Sequence, residues 1–372
     1  MYFRFIQPYQ DYSCRLAVSD KDKVRAKLPV YFARYRYPHH AMASGYDRLC
    51  DYMGETIRVS KPLYWLGETV LRIPAVAVSR LCGHYEYSRY VFILELEVIR
   101  HFLKHSNSIY HYVYGDKCYN LLSHYAGRNG NKIVVTIHQP PEKNSWMFRS
   151  MDHFKKADLV TVVSRSQLPY WESLVGKDKV VYVPYAVDTS YFTPATRTES
   201  LRRPRCIFAG AHERDFDCLS RLVPQVLAAD ANVEFVMVSS DRRCEPIARD
   251  NPRAVWRRRV EDDEYRTLLQ DSDLLVLPAD RSTTNTAVLE AMACGVPVIT
   301  NSGGIEDYLD PLSSRIFPVG DDSGMATAAC ELLANPEQLA AMSVAARKQA
   351  CEFSWTQTAG KMLTAYQRLI PS

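Results

Sequence analysis

Residues 283–304, which read TTNTAVLEAMACGVPVITNSGG, give the clearest indication of how this chain of 372 residues folds. A short helical segment that carries one acid, Glu290, leads into the apolar, β-branched segment 296–300, which is typical of a buried strand. A polar run, 282–286, precedes the helix, and two glycines follow the strand. Because the first N–H groups of a helix have no intrahelical partner, this unit can offer backbone donors and a carboxylate to one phosphorylated, hydroxyl-rich ligand.

The composition is that of a globular protein with room for two domains. Hydrophobic residues make up 47% and charged residues 24%, which suffices for two buried cores of α/β size. The net charge of +4 suits an anionic ligand, and we expect no nucleic-acid partner. The sequence has no run of eighteen apolar residues, so it predicts no membrane-spanning segment.

Cysteine usage and the N-terminal sequence indicate a reducing, cytoplasmic location. The ten cysteines form no CxxC pair and no metal-ligand spacing, which is typical of reduced thiols. Residues 1–16 lack the apolar core of a signal peptide. The 24 tyrosines are concentrated in the first half. They are interpreted either as half-buried surface aromatics or as a platform for sugars or for peripheral contact with the inner membrane surface.

Strand-like and helical runs alternate along the chain, and this alternation predicts the α/β class with parallel sheets. In the first half the predicted strands are residues 28–36, 75–78, 108–114, 132–138, 159–163 and 180–184, and the predicted helices are 46–53, 88–104 and 117–126. In the second half the predicted strands are 206–210, 233–239, 254–256, 273–277 and 296–300. We therefore expect two Rossmann-like, doubly wound domains.

The predicted domain boundary lies in a proline-containing segment, 184–194, which the charged run TRTESLRRPR follows. We interpret this stretch as a linker between an N-terminal domain, 1–190, and a C-terminal domain, 195–352. The remaining residues, 353–372, contain a final predicted helix that lies beyond the second alternating series.

The helix–strand unit resembles the donor-binding segment of the retaining glycosyltransferases of family four (glycosyl transferases group 1), which have the GT-B fold. That family has Glu, seven residues and a second Glu, followed by Ala-Met-Ala-Cys-Gly-x-Pro-Val. Here Glu290 stands at the second position and AMACGVPV follows it, whereas Ser282 stands at the first. The resemblance implies two Rossmann-like domains facing each other across a cleft, with the acceptor bound by the first domain and the donor by the second. It also implies that the final helix crosses back to the first domain.

The resemblance implies an activity as well as a fold. A sugar would pass from a UDP- or GDP-linked donor to a hydroxyl group of a glycan, lipid or small molecule, with retention of anomeric configuration. The chemistry of the family needs no metal and no other cofactor.

Within the second domain, the resemblance assigns a set of donor-binding residues. Glu290 would hydrogen-bond the ribose, with an ordinary helix-surface Glu as the alternative. The loop before it would face the donor sugar and diphosphate, and ordinary N-capping is compatible with that role. These loop residues are Ser282, Thr283, Thr284, Asn285 and Thr286.

The turn after the first strand of the second domain is a second donor-binding candidate. Gly210 matches a glycine of the family, but Ala211 replaces the arginine that grips the donor phosphates there. His212 and Arg214 are the nearby substitutes, and Arg214 is predicted to stabilise the leaving diphosphate because its planar fork pairs with phosphate oxygens. A solvated charged turn is the alternative.

Histidines in the first domain are candidates for the sugar and acceptor sites. His138 ends a predicted strand, and the resemblance places it in the interdomain cleft as a catalytic residue; a structural histidine is the alternative. His111 ends another strand and, with His39 and His40, is predicted to meet the acceptor, although buried or exposed histidines without function are equally compatible. Gly45 lies in a small-residue loop that resembles the loop closing over the donor phosphates in this family.

Two other functions remain open from the sequence. Ser282 and Ala211 favour a non-catalytic GT-B scaffold or regulatory partner, and a hydrolase of nucleotide sugars is a further alternative. The Asp271-Ser272-Asp273 triplet matches the Asp-x-Asp metal motif of other glycosyltransferases, but it leads directly into a strand, so no metal site is predicted. The sequence contains neither a P-loop nor a GxGxxG motif.

Overall fold

The computed structural model describes residues 19, 23–36, 42–59, 65, 77, 84, 87–195, 203–280 and 283–370. The described chain divides into two units. Unit 1 contains the described residues up to Tyr185 together with those from Trp355 onward, and unit 2 is Ala186–Ser354. Each unit has a six-stranded sheet of its own, and all the strand pairs are parallel. The predicted α/β class is therefore confirmed.

The sheet of unit 1 has the strand order β2-β1-β3-β4-β5-β6. Its strands are β1 Val30–Ala33, β2 Glu55–Ile57, β3 Ile109–Tyr112, β4 Lys132–Ile137, β5 Leu159–Val162 and β6 Val180–Tyr182. The central strands are buried along almost their whole length, as expected for a parallel sheet covered on both faces. Because β3 and β4 are paired in parallel up to Tyr112 and Val135, the residues that follow these two strands meet at one edge of the sheet.

The described helices of the first part of the chain are α1 Leu49–Met53, α2 Arg89–Lys104, α3 Gly115–Cys118, α4 Asn144–Met147 and α5 Leu168–Val175. The predicted helix 117–126 is wrong, because only a short 3-10 turn, Leu121–Tyr125, follows α3. The helix is interrupted by Glu95, a fully buried acid on α2. Its carboxylate accepts hydrogen bonds from the backbone N–H groups of residues 120, 121 and 122. Those donors are bound to a side chain and cannot continue a helix. The predicted strand 75–78 lies outside the described residues except for residue 77.

The sheet of unit 2 has the strand order β12-β11-β10-β7-β8-β9. Its strands are β7 Arg205–Ala209, β8 Glu234–Val238, β9 Ala254–Arg257, β10 Leu274–Leu277, β11 Val298–Asn301 and β12 Ser314–Phe317. The helices are α6 Phe216–Ala229, α7 Cys244–Asp250, α8 Asp262–Gln270, α9 Thr286–Ala293, α10 Asp322–Leu333 and α11 Pro336–Cys351. The strand order turns at β7 and β10, so the segments that follow these two strands lie side by side at the carboxyl edge, where ligands of open α/β sheets bind.

Most of the segment predicted as a linker, 184–194, belongs to unit 2, which begins at Ala186. Arg347 donates to the carbonyl oxygens of Thr189 and Phe192 at 2.9 and 2.8 Å, and Gln270 donates to Thr193 O at 2.7 Å. Unit 1 ends at Tyr185, five residues before the predicted end of the first domain at residue 190. The Val187 N–H also donates to Phe353 O at 2.9 Å, so the chain enters and leaves unit 2 at neighbouring points.

The final helix, α12 Trp355–Gln367, packs in unit 1. Its Tyr366 hydroxyl lies 2.6 Å from Nδ1 of His111, and Nε2 of His111 lies 2.7 Å from Oγ1 of Thr136. His111 and Tyr366 are completely buried, and burial lowers the pKa of His111 to about 3. The helix is thus attached to the sheet by a neutral imidazole in the core.

Removing the Tyr366 hydroxyl is expected to destabilise unit 1. Tyr366→Phe leaves Nδ1 of His111 buried without its partner, and we expect a loss of about 1–3 kcal/mol in the free energy of unfolding. Denaturant unfolding measures this loss, and Tyr125→Phe, at a partly exposed tyrosine of the same unit, is the matched control. Equal stability of the two variants would contradict the attachment.

Among the described residues, no helix has both the length and the apolarity required to cross a bilayer.

Candidate functional site

The loop after β7 places the Arg214 side chain over its own backbone. Gly210 has a φ of 99°, and a side chain at this position would collide with the Arg214 guanidinium. Glu213 has a φ of 56°, a left-handed conformation that costs a non-glycine residue on the order of 1–3 kcal/mol and is concentrated at functional sites. The backbone of Arg214 pairs with Ala279, just beyond β10. The loop is therefore shaped to hold one arginine in one place.

Arg214 connects this loop to the N-terminus of α9. Its Nε donates to Ala209 O at 2.9 Å, its Nη1 to His212 O at 2.8 Å and its Nη2 to Asn285 Oδ1 at 3.1 Å. Among the described residues, these bonds use three of the five N–H groups of the Arg214 guanidinium. Burial lowers the pKa of Arg214 to about 10, so the side chain remains cationic at neutral pH. A half-buried cation at a helix N-terminus is suited to an anionic ligand.

The N-terminus of α9 is capped by Asn285, whose Oδ1 also accepts from the Ala287 N–H at 3.2 Å. Thr283 and Asn285 are buried, and Thr286 begins the helix. The buried Oγ1 of Thr284 has no hydrogen-bond partner within the described ranges. The loop thus combines ordinary capping with a buried polar atom that can still bind a ligand.

Glu290 lies in the middle of α9 and is 5% exposed, which excludes the interpretation as a helix-surface acid. The hydroxyl of Tyr265 on α8 donates to its Oε2 at 3.0 Å. Burial, reinforced by the Glu290 carboxylate, raises the pKa of Tyr265 well above its usual range, so the phenol stays a donor. The Glu290 charge also favours the cationic form of Arg214. We call Arg214, Tyr265, Asn285 and Glu290 the donor cluster, after the sugar-donor role that the sequence predicts for this region.

Sequence reasoning found Arg214, Asn285 and Glu290 but missed Tyr265. Tyr265 precedes Glu290 by 25 residues and sits in a charged helix, DDEYRTLLQ. A tyrosine beside apolar positions of an amphipathic helix indicates burial, but no local pattern shows which acid it reaches.

The C-terminal end of α9 is held as firmly as its start. The Arg347 guanidinium donates to Ala293 O at 2.7 Å, and the Ser343 hydroxyl donates to Gly295 O at 2.5 Å. These bonds satisfy carbonyl groups that the helix end leaves without intrahelical partners. The helix that carries Glu290 is therefore fixed at both ends before any ligand binds.

The glycine pair after β11 forms a second turn at this edge of the sheet. The N–H groups of Gly303 and Gly304 donate to the two carboxylate oxygens of Glu306, at 2.9 and 2.6 Å. A carboxylate held by two backbone N–H groups shows that the turn binds an oxyanion. In this structure Glu306 is that oxyanion, and sequence reasoning did not identify it.

His138, in unit 1, directly follows β4 at the carboxyl edge of the sheet and is partly exposed. Its Nε2 lies 2.7 Å from Val113 O, and its backbone N–H donates to Asp116 Oδ2 at 3.0 Å. The rings of Tyr46 and Tyr114 lie 4.8 and 4.6 Å from the imidazole. Burial lowers the pKa of His138, so the ring is neutral at pH 7, and its position is fixed by these neighbours.

The structure contradicts the acceptor prediction for His111. This residue is completely buried, and both of its ring nitrogens are bound within unit 1, to Tyr366 and Thr136. A residue without an exposed atom cannot contact an acceptor, so the structural interpretation holds for His111.

Of the other predicted site residues, the structure describes Gly45 and His212. Gly45 has a φ of 100° and precedes the turn that leads into α1, and the neighbouring Tyr46 ring contacts His138. His212 is 81% exposed, with Nε2 at 3.5 Å from Glu213 Oε1. The predicted residues Ser282, His39 and His40 lie outside the described residues.

Comparison with known proteins adds to this geometry. Residues 203–335, which contain the donor cluster, match the family model described as Glycosyl transferases group 1. This region of the chain is similar to group 1 glycosyltransferases.

Two relatives and one solved structure are similar to this chain. It is 28% identical over 264 residues to a GDP-mannose-dependent monoacylated alpha-(1-6)-phosphatidylinositol monomannoside mannosyltransferase of Corynebacterium glutamicum, covering 63% of this chain and 69% of that protein. It is 27% identical to a GDP-mannose-dependent alpha-(1-6)-phosphatidylinositol monomannoside mannosyltransferase of Mycolicibacterium smegmatis, covering 56% and 61%. A sucrose-phosphate synthase from Thermosynechococcus elongatus superposes with a TM-score of 0.66 at 16% identity, over 92% of this chain and 99% of the other. This superposition shows the GT-B fold.

The Asp271-Ser272-Asp273 triplet of this chain helps to join two strands. Oδ2 of Asp273 accepts from the Arg205 N–H at 2.9 Å, and Oδ2 of Asp271 lies 3.7 Å from Nη1 of Arg205. Both acids therefore help to hold β10 against β7. Within the described ranges, His, Cys, Asp and Glu form no group of three or more that could hold a metal ion.

Proposed function

We propose that this chain transfers a sugar from a nucleotide diphosphate sugar to a hydroxyl group, with retention of anomeric configuration and without a metal ion. The observation that carries the proposal is the donor cluster, in which a fixed cation, a helix N-terminus and a buried carboxylate lie together. The cation and the helix N-terminus suit a diphosphate, and the ribose hydroxyls of a nucleotide can donate hydrogen bonds to the carboxylate.

In the proposed mechanism, Arg214 and the N–H groups at the start of α9 bind the diphosphate. The bond between the anomeric carbon and the phosphate oxygen breaks, a bond from the acceptor oxygen to that carbon forms, and the acceptor proton passes to the departing diphosphate. The cation and the helix dipole stabilise the charge that develops on the leaving oxygen, and they are already in position before the reaction. The Glu290 carboxylate accepts hydrogen bonds from the ribose hydroxyls and so fixes the position of the nucleotide sugar.

His138 and Gly45 are proposed to serve the transferred sugar and the donor phosphates, respectively, from unit 1. A neutral imidazole whose ring is fixed by Tyr46 and Tyr114 can orient a sugar hydroxyl. His39 and His40 remain proposed acceptor contacts, and Ser282 and His212 remain proposed donor contacts.

GDP-mannose is the proposed donor, and a lipid with a hydroxyl-bearing headgroup is the proposed acceptor. The support for both is the names of the two relatives, which are GDP-mannose-dependent and act on phosphatidylinositol monomannoside. A lipid acceptor requires contact with a membrane, and we propose a cytoplasmic protein in peripheral contact with the inner membrane surface.

A thermal-shift screen with GDP, UDP and ADP tests the proposal. A ligand present at about 100 times its Kd stabilises the folded state by about 2.7 kcal/mol, which raises the Tm of a unit of this size by about 5–10 °C. We expect this rise with GDP, and a much smaller one with guanosine, which lacks the diphosphate and is the matched control. No shift with any of the three diphosphates would contradict the proposal and favour the non-catalytic scaffold.

A further inference from the structure

The carboxylate of Glu290 is bonded by a phenol that belongs to a different helix. Tyr265 lies on α8, Glu290 lies on α9, and the Tyr265 hydroxyl donates to Oε2 at 3.0 Å. A buried carboxylate is costly unless charge-assisted hydrogen bonds compensate it. The bond therefore has a stabilising role, but it also has a directional one.

The directional role follows from the chemistry of the Glu side chain. Rotation about the last bond of Glu has a broad energy profile, so the plane of a carboxylate is poorly fixed by its own torsion preferences. A hydrogen bond to one oxygen selects one orientation of that plane. The Tyr265 hydroxyl thus contributes to the direction of the terminal atoms of Glu290, whereas α9 fixes the backbone.

The ring of Tyr265 is itself held by its surroundings. Phe192 packs edge-on against it, with the ring centroids 6.4 Å apart. The backbone around Phe192 is bound by Arg347, which donates to Phe192 O, and by Gln270, which donates to Thr193 O. The phenol is therefore in position before any ligand arrives.

We propose that Tyr265 is a positioning residue that orients the Glu290 carboxylate toward the ribose hydroxyls of the nucleotide. Tyr265 then determines how strongly the site prefers a ribonucleotide to a nucleotide without those hydroxyls. This inference rests on the proposed function of the donor cluster.

The test compares two nucleotides in two tyrosine variants by calorimetry. The probes are GDP and 2′,3′-dideoxy-GDP, which differ only in the ribose hydroxyls. Tyr265→Phe removes the phenol donor and keeps the ring. Tyr191→Phe is the matched control, because the Tyr191 hydroxyl makes the same kind of bond to Asp263 on the same helix, at 2.9 Å.

We expect Tyr265→Phe to weaken GDP binding by about 5- to 10-fold, in line with the net contribution of one typical hydrogen bond. Its binding of dideoxy-GDP should stay within about twofold of wild type, because a ligand without ribose hydroxyls does not use the orientation of Glu290. Tyr191→Phe should leave both affinities unchanged. A general disturbance of packing would weaken both probes equally, so the difference between the probes is specific to positioning.

Two outcomes would overturn the inference, and they are distinguishable. If Glu290→Gln weakens GDP binding while Tyr265→Phe does not, or if Tyr265→Phe weakens both probes equally, then Tyr265 has no positioning role and the proposed function stands. If the wild-type protein binds none of GDP, UDP and ADP, the proposed function fails and the inference fails with it.

Discussion

Replacing Arg214 with Ala is expected to lower turnover by about 100- to 1000-fold, the loss typical of removing one pre-positioned donor from a developing negative charge. The guanidinium is already bound to Ala209 O, His212 O and Asn285 Oδ1, so it needs no rearrangement when the diphosphate departs. Steady-state kinetics with the donor identified by the thermal-shift screen would measure the loss.

The control for this experiment is Arg221→Ala. Arg221 lies on α6 in the same unit, is 52% exposed and pairs with Asp322 at 2.9 Å. Because an exposed ion pair contributes little, its loss should leave turnover within about twofold of wild type. Arg214→Lys retains the charge without the planar fork and should recover part of the activity. Full activity of a folded Arg214→Ala protein would show that the diphosphate is bound elsewhere.

Replacing Glu290 with Ala is expected to weaken nucleotide binding by about 1–3 kcal/mol, which corresponds to about 5- to 150-fold in Kd. The carboxylate is buried and bonded to Tyr265, and the variant removes the acid that we propose binds the ribose. Calorimetry with GDP measures the change.

Stability must be separated from binding in this variant, because Glu290→Ala leaves the Tyr265 hydroxyl without its acceptor. Thermal unfolding of the variant shows whether it is folded, and Glu290→Gln keeps the shape of the side chain while it removes the charge. Glu331→Ala, at an exposed acid of α10, is the control and should bind GDP like wild type. Unchanged affinity in a folded Glu290→Ala protein would remove Glu290 from the ribose site.

The buried strands were predictable from the sequence. Of the four described edge strands, β6 and β9 were predicted, whereas β2 and β12 were not. β4 and β10 lie within a residue of their predicted bounds because they are apolar on both faces. β2 and β12, at the sheet edges, have the sequences ETI and SRIF, in which polar and exposed positions hide the strand pattern. An edge strand needs only one neighbour and one buried face, so its sequence carries a weaker signal.

The candidate site was predictable where local pattern determined it. The loop, helix and strand around Glu290 follow one another along the chain, and their sequence shows their type and order. The partners of Glu290 and Arg214 come from other elements, through bonds to Tyr265 and to backbone carbonyl oxygens. Contacts of this kind depend on how elements pack, and periodicity contains no information about them. The histidine in the core shows the same limit, because only the packing of α12 distinguishes His111 from a ligand-binding residue.

The neighbouring entry and exit points of unit 2 have a consequence for the evolution and engineering of this chain. Because Val187 N–H is bonded to Phe353 O, residues 186–354 form a module whose two ends nearly coincide, while unit 1 is assembled from the chain on either side. Such a module can be exchanged for that of a relative through two adjacent junctions, without breaking the bond between His111 and Tyr366. Under the proposed function, such an exchange would transfer the donor-binding residues in one piece.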